Sequence, residues 1–424
     1  MNWSKLERRV GCCMLPALLT TASLAQESGG SEVEKLTKKV GDLESQVADL
    51  REQQAQGQDE TGVSLDEIDE QLTDMSKNMS TLRPGKRSFL LTGYAYAGFN
   101  NSEGSDSTFG AGFVPIFLWK IDDDLFVEGE AEFELEDSET HVALEYLQAS
   151  YVLNDSMILG FGKFLSPSNP FADRLHPAWI NKLPDAPLGL GPQRIMPFTQ
   201  LGVQLHGGVP VGSQKVNYAL YVSNGPSLEE DAGTYGSLGD ENLSDLNNNK
   251  AIGGRIGYFP LPELEFGYSL EFSQVTASGS DVSDADATIQ SFDVNYTASI
   301  PKGTLDLRGQ WAFSDLSDVV YDPNATDFGP ATLDNSRNGG YLQAAYRPSE
   351  VKSSMLSRCE GVVRYDQIDL PDGAPESTDQ SRWTFGLNYW TGASSVFKLA
   401  YRMDDRDAPG TSVDAVMFQW AVGL

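Results

Sequence analysis

The sequence predicts an all-β transmembrane barrel of sixteen antiparallel, up-and-down strands preceded by a helical coiled-coil segment. Three observations carry this prediction. Apolar residues recur at every second position from about residue 88 to the last residue, they recur in alternating threes and fours between residues 33 and 82, and after the first twenty residues no apolar run approaches the roughly 18 residues that a spanning helix needs.

Composition narrows the field before any element is placed. Among 424 residues, 30 Lys and Arg stand against 61 Asp and Glu, a formal net charge of −31, so nucleic acid is a poor partner and a basic membrane-surface anchor is excluded. Mean hydropathy is −0.32, yet the chain carries 41 Gly, 7 Trp, 16 Tyr and 20 Phe, a profile that suits many short strands joined by tight turns. Of the 3 cysteines, Cys12 and Cys13 fall in a segment read below as removed, which leaves Cys359 without a disulfide partner or a metal-binding spacing. No cofactor and no metal is implied.

Residues 1–25 have the parts of a secretory signal peptide: Lys5, Arg8 and Arg9, an apolar stretch from Val10 to Leu19, and Ser23-Leu24-Ala25 before Gln26. Residues 26–83 form the coiled-coil segment. Val33, Leu36, Val40, Leu43, Val47 and Leu50 give a heptad stripe, and Leu65, Ile68, Leu72, Met75, Met79 and Leu82 resume it after a four-residue shift in phase. So narrow a stripe has nothing to bury against except another copy, which predicts self-association; valine at a and leucine at d lean towards a dimer. Pro84-Gly85 ends the helical pattern.

The barrel is assigned to residues 89–424. Leu264, Phe266, Tyr268, Leu270 and Phe272 alternate with Glu265, Gly267, Ser269, Glu271 and Ser273, and Trp383, Phe385, Leu387 and Tyr389 alternate with Arg382, Thr384 and Asn388. These runs are longer than the five or six residues usual in a soluble sandwich and fit a tilted bilayer crossing of roughly 9–11 residues. Short turns fall at 122–124, 154–155, 210–213, 259–263, 301–303, 348–353 and 391–394. Longer polar loops fall at 100–107, 137–139, 165–197, 224–250, 276–287, 315–337, 367–381 and 404–411. Seven turns and eight loops connect sixteen strands, with both chain ends on the short-turn side. The last strand, with Val416, Phe418, Trp420, Val422 and Leu424 on one face, resembles the C-terminal assembly signal of outer-membrane proteins but ends in Leu424 where Phe is usual.

Four stretches then carry a family resemblance: Gly162-Lys163-Phe164 before a Pro-rich loop, Tyr218-Ala219-Leu220-Tyr221-Val222-Ser223-Asn224-Gly225, Val363-Arg364-Tyr365-Asp366, and Gly386-Leu387-Asn388-Tyr389-Trp390. With the architecture around them, they resemble the phosphate-selective porin-like group of sixteen-stranded Gram-negative outer-membrane porins, those with an N-terminal periplasmic coiled coil. The resemblance implies a passive diffusion pore, a trimer in contact with outer-membrane lipid and lipopolysaccharide, and an inward-folded third long loop.

That loop, 165–197, holds Pro167, Pro170, Pro177, Pro184, Pro187, Pro192 and Pro197, which stiffen a segment without sheet partners. Its charged residues are Arg174, Lys182 and Arg194 against Asp173 and Asp185, so as a constriction, with His176 among them, it is expected to be slightly basic. On strand 125–136 the parity turns Glu128, Glu130, Glu132, Glu134 and Glu136 to the lumen, and elsewhere Arg255, Arg308, Arg364, Arg382, Lys398 and Arg402 fall on inward positions. Opposed acidic and basic rows set up a transverse field that passes ions of both signs. A phosphate-selective pore needs a basic ladder unspoiled by carboxylates, so the expected activity is general diffusion of small hydrophilic solutes, with anion or phosphate selectivity the alternative. A barrel tethered to the envelope through its coiled coil is the structural alternative. Catalysis is not expected, because His141, His176 and His206 lack convincing Ser and acid partners.

Overall fold

A computed structural model describes residues 88–136, 139–190, 195–229, 236–239, 243–245, 247–280, 284–317, 320–321, 331–332, 335–371, 379–407 and 412–424. The expected signal peptide and coiled-coil segment, residues 1–25 and 26–83, lie outside the described residues.

The period-two segments form strands β1 (Ser88–Ser102), β2 (Thr108–Lys120), β3 (Leu125–Glu136), β4 (Glu139–Asn154), β5 (Met157–Leu165), β6 (Thr199–Val211) and β7 (Gln214–Ser223). A small hairpin, β8 (Ser227–Leu228) with β9 (Leu238–Gly239), follows, then β10 (Ala251–Leu261), β11 (Leu264–Gln274), β12 (Asp286–Ile300) and β13 (Gly303–Leu316). A second small pair, β14 (Val320–Tyr321) with β15 (Ala331–Thr332), precedes β16 (Ser336–Arg347), β17 (Cys359–Asp369), β18 (Gln380–Trp390), β19 (Ser395–Arg406) and β20 (Val413–Gly423). Apart from the two small pairs, sixteen strands join neighbour to neighbour, all antiparallel, into one closed barrel. β1 closes on β20 in the register Phe99↔Phe418 and Tyr94↔Gly423. The chain end is pinned there: Leu424 N donates to Gly93 O at 2.8 Å, and Thr92 Oγ1 donates to Leu424 O at 2.7 Å.

Closure is forced by the strands' surroundings. The exterior is apolar: Phe266, Phe272, Leu342, Phe385, Leu387, Phe418 and Trp420 are all exposed on alternate positions of their strands. A face of this kind belongs in lipid, where an unpaired backbone amide costs several kcal/mol, and only a sheet without edges satisfies every one.

Two local features depart from simple alternation. Opposite β3, the register of β4 shifts between Glu130 and Ala131, so that Tyr146 pairs with Glu130, Leu144 pairs with Ala131, and Glu145 is the extra residue of a bulge. The outward set therefore changes parity, from Val142 and Leu144 to Leu147, Tyr151 and Leu153. The connection from β16 to β17 covers 348–358 and includes a 3₁₀ turn, Leu356–Arg358, so it is longer than the turn predicted at 348–353.

On the lipid face, Leu342→Arg places a guanidinium mid-strand in β16. Folding stability in lipid vesicles, read by urea titration, is expected to fall by about 2–4 kcal/mol.

Candidate functional site

The interior of the barrel is where the polar chemistry gathers, and loop 165–197 organises it. Its two ends meet at the rim, where Ser166 N donates to Phe198 O at 2.9 Å. From there the chain enters the lumen: Ser168 Oγ bonds Tyr221 Oη at 2.7 Å, and Phe171 N donates to Gln310 Oε1 at 3.1 Å. A single π-helical turn, Phe171–Leu175, carries Arg174, and beyond it Trp179 lies against Gly423 of the last strand, at the short-turn end. The chain then returns along β17 and β18, and Leu190, Ile195 and Met196 are buried near the outer end.

On the way back, Asp185 enters a charged lattice that the barrel register prepares. Asp366, Arg382 and Asp404 face one another across β17, β18 and β19, and in the next row Arg364, Thr384 and Arg402 do the same. Arg364 Nη2 is 2.8 Å from Asp185 Oδ1, while Arg382 Nη1 and Arg402 Nη1 approach Asp185 Oδ2 at 3.2 and 3.7 Å. Arg364 also donates to the carbonyls of Asp185 and Ala186, at 3.1 and 3.2 Å, so it grips backbone as well as carboxylate. Burial alone would push the Asp185 carboxyl up, but the guanidinium groups of Arg364, Arg382 and Arg402 outweigh it and hold the pKa below the usual carboxylate range.

The other cations are likewise taken up. Lys182 Nζ donates to Glu360 Oε1 at 2.6 Å, and Arg308 Nε lies 2.7 Å from Asp306 Oδ1. Arg174 bridges Asp173 at 3.1 Å and Glu265 at 2.8 Å, and Arg255 reaches Glu265 at 2.9 Å and Asp293 at 2.7 Å. Gly267 leaves room for this knot, since a Cβ there would lie 2.0 Å from Asp293 Oδ2 and 2.3 Å from Arg255 Nη2. Lys398 has no carboxylate partner among the described residues; its buried ammonium donates to Ala178 O and to Gln419 Oε1, and so holds the loop by its backbone. Of the cations on the loop expected to be slightly basic, Arg174 and Lys182 are thus already paired, and the basic row expected to oppose the acidic one is taken up by ion pairs or, at Lys398, by carbonyl oxygens. Arg194 lies outside the described residues.

The β3 wall is different. Glu128 accepts from Gln148, Glu130 from Tyr94 Oη at 3.2 Å, and Glu132 and Glu134 from Tyr96 Oη at 3.4 and 3.1 Å. Tyr96 can lie flat across the wall because residue 112, its partner on β2, is glycine; a Cβ there would sit 2.4 Å from the ring. Glu145, turned inward by the bulge, interacts with Glu132. Among the described residues none of these five carboxylates is ion-paired to a Lys or Arg. Only His176 approaches, its Nε2 3.5 Å from Glu130 Oε1. Burial lowers the imidazole pKa, but Glu130 outweighs that and raises it, so near neutrality the ring carries more charge than an isolated histidine.

The remaining interior is unevenly filled. Against β11–β13, β16 and β17, the loop residues Phe171, Leu190, Ile195 and Met196 and the β8–β9 residues Leu228 and Leu238 pack with Val275, Ile289, Leu316 and Ile368 into an apolar mass inside the barrel. Among the described residues no comparable mass covers the outer half of β1–β4, where Gly98, Glu132 and Glu134 stay partly exposed and Asn100 is open. Lower down, a narrow cleft separates loop residues Asp173, His176 and Trp179 from Thr92, Tyr94, Ile116, Glu130 and Tyr146. His206, buried on β6 with neither ring nitrogen bonded among the described residues, borders a smaller cleft with Arg174 and Arg255.

The sequence parity that turns Arg255, Arg308, Arg364, Arg382, Lys398 and Arg402 inward also turns in Glu265, Asp293, Asp306, Glu360, Asp366 and Asp404, a signal that was there to read. The β8–β9 hairpin and the inward turn of Glu145 carried no such pattern.

No family model and no curated protein sequence matches the chain. Solved structures do. The outer-membrane channel DcaP of Acinetobacter baumannii aligns over 80% of this chain and 97% of its own with a TM-score of 0.53 at 14% identity. OmpF of Salmonella typhi, in complex with daunomycin, aligns over 80% and 98% with a TM-score of 0.52 at 13% identity. A loop-deletion mutant of OmpT, an outer-membrane protein of Vibrio cholerae, aligns over 80% and 100% with a TM-score of 0.50 at 14% identity. At these identities the likeness is one of fold.

Asp185→Asn leaves three guanidinium groups facing a neutral amide. Barrel stability by denaturant titration is expected to drop by about 3 kcal/mol, the lower end for breaking a buried pair. Because the folded-state pKa of Asp185 lies below the ordinary value of about 3.9, its wild-type contribution is full at neutral pH and is lost only as the pH falls through that lower value. Protease protection of the loop is therefore expected to hold from pH 8 down to about pH 4 and to fail below it.

Proposed function

We propose that this protein is an outer-membrane porin, a water-filled channel for passive diffusion of small hydrophilic solutes and ions. The observation that supports it most is the pairing of a closed sixteen-strand barrel, apolar outside and charged inside, with loop 165–197, which narrows the lumen while Glu132 and Glu134 in the outer half of the β1–β4 wall stay partly exposed. A barrel of this strand number is wide enough to hold an aqueous channel, and the fold is that of the outer-membrane channels to which it aligns. Phosphate specificity is not part of the reading, because every basic side chain placed above is already bonded to carboxylates or carbonyls of the chain.

The coiled-coil segment, residues 26–83, is read as a periplasmic oligomerisation element and the assembly as a homotrimer, the form that the family resemblance implies. The lumen-lining residues proposed are Glu128, Glu130, Glu132 and Glu134 on the wall, Arg174, His176, Lys182 and Arg194 on the loop, and Arg255, Arg308, Arg364, Arg382, Lys398 and Arg402 behind it.

Purified protein added to a planar lipid bilayer is expected to give stepwise conductance increments; a folded barrel without conductance would overturn the porin reading. Deleting residues 31–82 is expected to leave the conductance of each barrel in place. If that deletion abolished envelope attachment and the full-length barrel conducted nothing, the tether would be the better account.

A further inference from the structure

The interior charge is divided between two walls in a way that bears on which solutes pass. On the side where the loop is seated, the cations are consumed internally by ion pairs and carbonyl contacts, so that wall offers a passing solute little net field. On the β3–β4 side Glu128, Glu130, Glu132, Glu134 and Glu145 hold hydrogen bonds or neighbours of their own sign but, among the described residues, no Lys or Arg; only the loop's His176 lies against Glu130 there. From Glu128 to Glu134 the row advances six residues, about 20 Å at ~3.3 Å per residue, with Glu130 buried against the loop and Glu132 and Glu134 partly exposed beyond it.

A second, independent observation concerns space. The apolar mass of loop 165–197 and the β8–β9 hairpin closes off the lumen beside β11–β13, β16 and β17, whereas Glu132 and Glu134 in the outer half of the β1–β4 wall stay partly exposed and a narrow cleft below them runs between the loop and Glu130. The room left for a solute and the unneutralised charge therefore coincide.

We propose that permeation runs along the β1–β4 wall and favours cationic solutes: small molecules with an ammonium or guanidinium group, and alkali cations over halide. This rests on the porin reading above and gives it a substrate class. The mechanism is electrostatic. Water-filled space beside a row of like charges, walled by low-dielectric protein, concentrates counter-ions and depletes co-ions. His176 faces Glu130 at the narrow level, so the carboxylates beyond it, Glu132 and Glu134 with their neighbour Glu145, dominate the discrimination.

The test is the zero-current potential of the full-length protein in planar bilayers under a KCl gradient. The expected K⁺ over Cl⁻ permeability ratio is at least about threefold near 0.1 M salt, shrinking towards one near 1 M as the screening length falls from about 10 Å to about 3 Å. The triple variant Glu132→Gln, Glu134→Gln, Glu145→Gln keeps side-chain volume and is expected to bring the low-salt ratio close to one. A wild-type ratio at or below one, or a triple variant with an unchanged ratio, overturns the inference while leaving a pore. A barrel that folds but never conducts overturns the porin reading and the inference with it. A second measurement needs no variant: in liposome swelling, lysine is expected to enter several-fold faster than glutamate, and equal or reversed rates overturn the inference.

Discussion

Every other feature of this molecule depends on the requirement that no backbone amide be left unpaired in lipid. β1 meets that requirement by bonding β2 on one side and β20 on the other, more than three hundred residues away in the chain. Once the ring is shut, the alternation of each strand has a fixed meaning: one parity must be apolar because it meets lipid, and the other is free to be polar because it does not. Glutamates in a row, buried arginines and a proline-rich loop are tolerable in a membrane-embedded fold only because closure has given them an interior.

That interior is stabilised by the same charges that give it character. Removing an arginine such as Arg364 from water is costly, and the structure offsets the cost by surrounding it with Asp366, Asp185 and two loop carbonyls. The loop in turn has no sheet to bond to, so its backbone is held by Arg364, Lys398, Asn169 and Asn388, and its apolar residues by the wall. Barrel and loop are thus complementary: the wall supplies charges with no solvent, and the loop supplies acceptors with no strand. What is left over is the outer end of the carboxylate wall, Glu132 and Glu134 hydrogen-bonded by Tyr96, beyond the level at which His176 meets Glu130.

The architecture was legible in the residues because it rests on local periodicity. Strand number, the parity that sets Phe385 outward and Thr384 inward, and the short-turn and long-loop alternation follow from the period of the apolar residues, which the bilayer enforces along the whole barrel. The inward direction of the arginines was legible for the same reason, as was that of the carboxylates beside them. The sign of the lumen was not: reading rows strand by strand gave acids on one wall and bases on the other, and the neutralisation of the bases depends on residues far apart in the chain, such as Asp185 with Arg364, Arg382 and Arg402.

By itself, the sequence determined that this chain has strands rather than helices in its membrane-facing region, that there are sixteen of them, and which residues each strand turns inward, because alternation with period two is a property of neighbouring residues. The tertiary structure decided what fills the barrel. Where loop 165–197 runs, that the β8–β9 hairpin packs with it, that a bulge turns Glu145 inward, and which charges are left unpaired all depend on register across the ring and on contacts between segments far apart in the chain. Such contacts are selected by shape and by the cost of burying charge, and neither leaves a local pattern in the chain.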